Sequence, residues 1–458
     1  MSAILGLMTA EQISAYRPKN VRRSVFYMYP NGAAPLVGLL SLMKDEVTND
    51  PEFKWYEKRM VEQSTTLAYI SSTISFYSSV DSTFATWTAA TANFTIAQGT
   101  QYGVKVASGG TAQLRVGHLF KTTIINTSAA NEELQGRITY VDATNNRIAF
   151  IATKIPTVAT DYDAATTGNE LLVIGAVQAE GSGSVSSTAG LSTLEVYNTP
   201  VQPGNYTQIM TANWQITGTA GKTSAWFDTR GVDPDLAKEA SVNYSRYMEY
   251  CFIFGHKYER VVSATNVERY TGGILYFLGL WEAGSTYGNT AATADTDDNK
   301  RIIENTTGVL SAKTYNKYLE RVFRFNRNKN NEVICLCGNG FLQTLAEMYA
   351  GKQTFTAQMP SKDNFGMQVV GHMTSFGQVW YKTHKLFNLN STLRFNGLFV
   401  DLTCLKYRPL KDRDTILRKD IGPKGQDYIE DGWFSESGLE VNSPESHLYL
   451  KNVQDYSA

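Results

Sequence analysis

The chain is short of charge, of histidine and of cysteine, and it has no long apolar run. Only 19% of its 458 residues are charged, and the formal net charge is -1. A free nucleic-acid binder needs a basic excess, because neutralising phosphates drives its binding. Here that excess is missing outside one local cluster. No stretch approaches the ~18 consecutive apolar residues of a membrane-spanning helix. The N-terminus lacks the basic segment and apolar core of a secretory signal. The expectation is a protein made in a cytoplasm and soluble there, with no membrane partner.

The four cysteines, Cys251, Cys335, Cys337 and Cys404, sit in apolar runs such as residues 332–341 and have no zinc-ligand spacing. They read as buried thiols in a reducing compartment. Of the five histidines, His118, His256, His372, His384 and His447, no two are closer than 12 positions, so no local metal motif exists. There is no Gly-x-Ser-x-Gly elbow. The run Gly218-Thr219-Ala220-Gly221-Lys222-Thr223 ends like a phosphate-binding loop. However, Ile216 stands where that motif needs glycine, and no helix is expected to start at Lys222. No catalytic residue, cofactor or metal site is therefore expected, and the chain reads as a non-enzyme.

Aromatic residues are plentiful, at 12% of the chain with 26 tyrosines. Such a count fits either a large core or surfaces buried against a partner. Residues 1–60 read as an extended arm, with turn signals at Arg17-Pro18-Lys19 and Pro30-Asn31-Gly32 and a short helix or turn over Pro35–Leu40. The arm holds the aromatic residues Phe26, Tyr27 and Tyr29. It also holds the cluster Arg17, Lys19, Arg22 and Arg23, which is either solvated or set against phosphate or carboxylate groups.

Residues of about 85–195 are rich in Thr, Ala, Ser and Gly. Short alternating runs at 113–116, 136–141 and 147–151, with Asn145-Asn146 at a hairpin turn, predict a small antiparallel β-barrel or sandwich. Gly181–Ser184 reads as its exit. Asp233-Pro234 then opens a helix, with Asp as N-cap and Pro at the first position. Leu236, Ala240, Tyr244, Tyr247, Cys251 and Phe254 predict its apolar face. Running to about 261, it would be long, ~38 Å for ~25 residues. A helix over 314–323, a buried strand over 332–337 and a helix capped by Asn339 follow. Strands are expected near 367–370, 378–381 and 398–402, giving a compact α/β unit.

Arm, β-rich insertion, long helix and α/β unit, in that order, resemble the Hong Kong 97-type α+β fold of tailed-bacteriophage major capsid proteins. Four local runs resemble the branch related to phage SU-ten. They are Pro51–Glu57 with Trp55, Asn205-Tyr206-Thr207-Gln208-Ile209, Asp412-Arg413-Asp414-Thr415, and Ser437-Gly438-Leu439-Glu440-Val441. Glu430-Asp431-Gly432-Trp433 and Glu436 resemble its terminal acidic pattern.

The resemblance implies an N-terminal arm over 1–60 and an extended loop over 61–230 that carries the insertion. It implies a peripheral domain over 231–310 built on the long helix, an axial domain over 311–400, and a return to the peripheral domain over 401–458. It further implies a subunit that self-assembles into hexamers and pentamers of an icosahedral virion shell around double-stranded DNA. Its partners would be a portal protein at one vertex, a separate scaffolding protein, a decoration protein as an option, and DNA held non-specifically. It would be made in the host bacterial cytoplasm, with no large pro-segment lost and no covalent cross-links. Phe26, Tyr27, Tyr29 and Trp55 are the candidate contacts between subunits. The alternatives are another phage structural protein, such as a tail or receptor-binding component, or an enzyme with a site assembled from distant residues such as His372 or His384.

Overall fold

The computed structural model describes residues 34–42, 45–59, 63–68, 70, 76–81, 83–90, 96–125, 131–155, 169–177, 185–186, 191–192, 197–222, 233–263, 266–287, 289, 291–292, 294–295, 297–349, 370–423 and 425–457. The chain divides into two compact units, one made of residues 58–200 and the other of residues 1–57 with 201–458.

The unit of residues 58–200 is built on an eight-stranded antiparallel sheet. Strands Asn131–Asp142 and Arg147–Lys154 form the expected hairpin. Asn146 takes the left-handed turn conformation, φ 51°, which Asn tolerates better than most residues. One outer strand, Ser64–Thr66, continues into a bridge between Leu67 and Val106. Hydrogen bonds from Ala68 N to Lys105 O and from Ala107 N to Thr66 O flank that bridge. The sheet thus curls back on itself around Phe76, Phe120, Leu134, Ile138, Ile148 and Phe150. Strands Ser64–Thr66 and Phe76–Val80 precede residue 85 yet belong to this sheet; the first is short and polar, and Phe-Tyr-Ser-Ser-Val in the second does not alternate, so neither is revealed by its pattern.

Two sheets of the larger unit have more than two strands. One sets strand Tyr428–Val441 between Gln208–Thr217 and Leu405–Pro409, with Ile416–Arg418 also paired to it. The other has six strands, in the order 302–304, 448–451, 397–400, 332–337, 378–383 and 370–373. Both faces of this second sheet are covered. Cys335, Cys337, Phe399, Leu448 and Leu450 enter one core with helices Ala312–Arg324 and Asn339–Met348. Leu336, Leu398, Val400 and Tyr449 enter the other core, with the long helix. Successive strand residues point to opposite faces, and burial on both sides explains the continuous apolar runs that the sequence shows. The helix expected to be capped by Asn339 is capped one residue earlier, by Gly338, and Asn339 is its first residue.

The long helix spans Asp233–Phe254, 22 residues, or about 33 Å. Its buried face is Ala240, Tyr244, Met248, Glu249, Phe252 and Ile253. Tyr247 and Phe254, expected on that face, are exposed. The sequence puts apolar residues on both sides of the last two turns, so periodicity alone did not choose between them. A carboxylate occupying the buried side, Glu249, made the correct face look polar.

Candidate functional site

The four motif runs lie far apart in sequence, and the larger unit brings them together. Glu52–Lys54 pairs antiparallel with Gly204–Tyr206, placing Phe53 opposite Asn205. Asn205 is fully buried, and its side-chain amide is saturated. Nδ2 donates to Thr271 Oγ1 at 3.1 Å, Gly272 O at 2.9 Å and Leu439 O at 2.7 Å. Oδ1 accepts from Tyr206 N at 2.9 Å and Gly272 N at 2.7 Å. One side chain thereby links the first motif's partner strand, the chain beyond the long helix and the C-terminal strand.

Thr207 continues the junction. Its N–H donates to Pro51 O and its hydroxyl to Glu436 Oε1 at 3.2 Å. Glu436 also faces Arg413 Nε at 2.6 Å, so the Asp412–Thr415 and terminal acidic motifs meet here. Glu440, nearly buried, pairs with Arg408 Nε at 2.7 Å. Gly438 is required at its position, because a Cβ there would stand 2.7 Å from the Phe53 ring and 2.8 Å from Tyr206 O.

Trp55 is only 7% exposed. Its ring packs on Phe53 and Phe277, at 6.2 and 5.5 Å between centroids. Its Nε1 donates to Glu57 Oε1 at 2.9 Å, and the same oxygen accepts from Ser443 N at 3.2 Å. The structure therefore places this expected contact residue in the subunit's own core. Arg17, Lys19, Arg22, Arg23, Phe26, Tyr27 and Tyr29 lie outside the described residues.

The chemistry of the junction is cohesive rather than reactive. Its carboxylates are held by hydroxyl, guanidinium and backbone donors, which leaves no poised nucleophile–base pair among the residues that build it. His372 lies tilted against Tyr349, 4.9 Å between centroids, while His384 bonds to Glu249, so the two histidines serve different surroundings. Among the described residues, no group of three or more His, Cys, Asp or Glu side chains could hold a metal ion. Among the described residues Gly218–Lys222 is already helical, so no loop precedes a helix starting at the lysine as a phosphate-binding loop requires.

Two buried sites had no signal in the sequence. One is Glu249 with His384, which lie 135 positions apart. The other is His447, whose Nδ1 accepts from Asp401 N at 3.1 Å. Burial is the main cause holding its pKa down to about 4, with Arg301 assisting and the carboxylates of Asp401 and Glu445 opposing. The unfolded chain takes up this proton near pH 6.5, whereas the folded chain resists it until about pH 4. The stabilisation is thus complete above 6.5 and is lost as pH falls through that window. Between pH 7 and pH 5 it amounts to about 2 kcal/mol. Urea unfolding at both pH values should show that loss in the native chain, and His447→Gln should reduce it by about that amount. An unchanged pH dependence in the variant would remove His447 as its source.

The family model described as SU10 major capsid protein matches residues 8–454. No curated protein matches the chain. Among solved structures, the cyanophage A-1(L) capsid is 13% identical, with a TM-score of 0.38 over 60% of this chain and 86% of that one. The capsid of a native GTA particle is 14% identical, with a TM-score of 0.37 over 61% and 82%. The SrpI encapsulin of Synechococcus elongatus is 8% identical, with a TM-score of 0.35 over 57% and 79%. These likenesses are distant, and the match across residues 8–454 decides the assignment. The chain belongs to the SU10 major capsid protein family, and it is a virion protein that self-assembles to form the capsid shell.

Proposed function

We propose that the subunit builds hexameric and pentameric capsomers of an icosahedral shell around phage double-stranded DNA, on a Hong Kong 97-type plan. In this reading residues 1–60 are the arm and 61–230 the extended loop with its β insertion. Residues 231–310 and 401–458 are the peripheral domain, and 311–400 the axial domain. A portal protein occupies one vertex and a separate scaffolding protein guides assembly. A decoration protein is an optional addition. The subunit is made in the cytoplasm of a bacterial host and performs no catalysis.

The observation that carries the reading is the family match over residues 8–454. The motif junction supports it physically. A shell subunit must be stiff where distant segments cross, and Asn205, Thr207, Glu436 and Gly438 supply that stiffness. It must also leave apolar surface for neighbours, whose coverage contributes roughly 25 cal/mol per Å². Symmetric closure then gives a shell rather than a fibre, and a net charge of -1 limits repulsion between copies. Phe26, Tyr27 and Tyr29 are assigned to contacts with neighbours, and Arg17, Lys19, Arg22 and Arg23 to phosphate or carboxylate groups. Trp55 is assigned to bracing the subunit itself.

Electron microscopy of the chain expressed with a scaffolding protein tests this. Closed shells with five-fold and six-fold capsomers are expected, with single-subunit bands on a denaturing gel. A monodisperse monomer that persists with scaffold present would overturn the reading.

A further inference from the structure

The chain leaves the long helix at Gly255 and returns at Gly273, and between them it projects a two-stranded ribbon. Strands Tyr258–Ser263 and Asn266–Tyr270 pair with Tyr258 opposite Tyr270, Glu259 opposite Arg269, Arg260 opposite Glu268 and Val261 opposite Val267. Every residue of the first strand is exposed. Since alternate residues face opposite ways, neither face of that strand is covered among the described residues. Val261 is 65% exposed, Tyr258 57% and Val262 50%.

A single exposed valine on a surface is ordinary. A valine pair, Val261 with Val267, on one face of a two-stranded ribbon and a tyrosine pair, Tyr258 with Tyr270, on the other is not, because two strands alone are marginal in water and present open edges.

The root of the ribbon is firmly built. Gly273 N donates to Gly255 O at 2.8 Å. A Cβ on Gly255 would stand 2.3 Å from Cys251 O and 2.5 Å from Thr271 O, so the crossing admits only glycine. Thr271 N donates to Gln208 Oε1 at 3.1 Å, and Lys257 Nζ to Gly204 O at 2.9 Å. Through Thr271 and Gly272 the root also joins the Asn205 junction. The ribbon is thus firmly rooted, and Val261, Val262 and Val267 stand exposed among the described residues.

Its charges identify the occupant. Glu259 pairs with Arg269 at 3.0 Å and Arg260 with Glu268 at 3.7 Å, so the ribbon is neutral overall. Nucleic acid would call for a basic excess. Each strand instead carries one acid beside one base, an edge that a copy of itself can approach without a charge penalty.

Resting on the shell-forming assignment, we propose that this ribbon is a contact between subunits, with its Val261–Val267 face covered by a second copy of this chain in the assembled shell. Val261→Cys in the full chain tests it by maleimide labelling, with the native chain as background. Labelling is expected to be fast in dispersed subunits and at least about tenfold slower in shells made of this chain alone. Equal rates in the two states would overturn the contact. So would protection that vanishes when another bound polypeptide is stripped away, because the face would then belong to that partner.

The double variant Val261→Glu with Val267→Glu should leave the unfolding midpoint of dispersed subunits unchanged while shell yield falls about tenfold. Native yield from the variant would count against the contact. Absence of shells from the native chain would instead sink the shell-forming assignment, and the contact with it.

Discussion

Replacing Asn205 with alanine should destabilise the subunit by about 4 kcal/mol, and replacing it with aspartate should cost at least as much. The alanine variant leaves Gly272 N, Gly272 O and Leu439 O without their partner in a site closed to water. Each orphaned group costs about 1–3 kcal/mol. Aspartate preserves the size and shape of the side chain but turns its two donor hydrogens into an acceptor. A carboxylate oxygen would then face Gly272 O and Leu439 O, which the amide nitrogen meets at 2.9 and 2.7 Å. Protonation would return one donor at most, and a buried charge without a partner costs more than a cavity. The ranking separates hydrogen bonding from packing. If burial of volume were what mattered, the aspartate variant would lie close to the native chain. Urea unfolding of dispersed subunits measures both variants, and a near-native aspartate variant would reject the hydrogen-bond account.

The same residue marks the limit of what the sequence discloses. Local physics was legible. Asp233-Pro234 announced the long helix, Asn145-Asn146 the hairpin, and the run Val333–Cys337 a strand covered on both faces. These features depend on neighbours within a few positions, where capping, turn conformation and alternation act. The junction depends on partners such as Leu439, which lies 234 positions from Asn205. The four motif runs could be recognised by resemblance, but their meeting in one place could not be read from spacing. Trp55 shows the same limit. A tryptophan just past an extended arm suits a contact between subunits, and only the fold reveals that Phe277 and Glu57 already occupy its ring and its N–H. The ribbon shows it too. Its first strand, Tyr258–Ser263, overlaps the span expected to be helical to about 261, whereas the helix ends at Phe254 and the chain turns at Gly255, where a Cβ would meet Cys251 O and Thr271 O.

Glu249 should give the largest single-site effect. Its carboxylate is completely buried and gathers three donors from two distant segments. Oε1 accepts from Leu36 N at 3.0 Å and lies 2.7 Å from His384 Nε2, while Oε2 accepts from Val37 N at 2.8 Å. Leu36 and Val37 open the helix Pro35–Leu42, whose first N–H groups have no partner within the helix and whose dipole favours an anion there. Glu249 therefore anchors that helix to the long one, and His384 completes the carboxylate's shell. Glu249→Leu fits the apolar surroundings of Phe252 and Ile253 yet strands all three donors, at a cost of about 5 kcal/mol. Glu249→Gln keeps one acceptor oxygen and should lose about half as much. Hydrogen exchange over residues 34–42 gives the decisive reading. Protection of Leu36 and Val37 should disappear in the leucine variant and persist in part in the glutamine variant. Equal protection in all three chains would show that Leu36 and Leu40, through their own burial, hold the helix without the carboxylate.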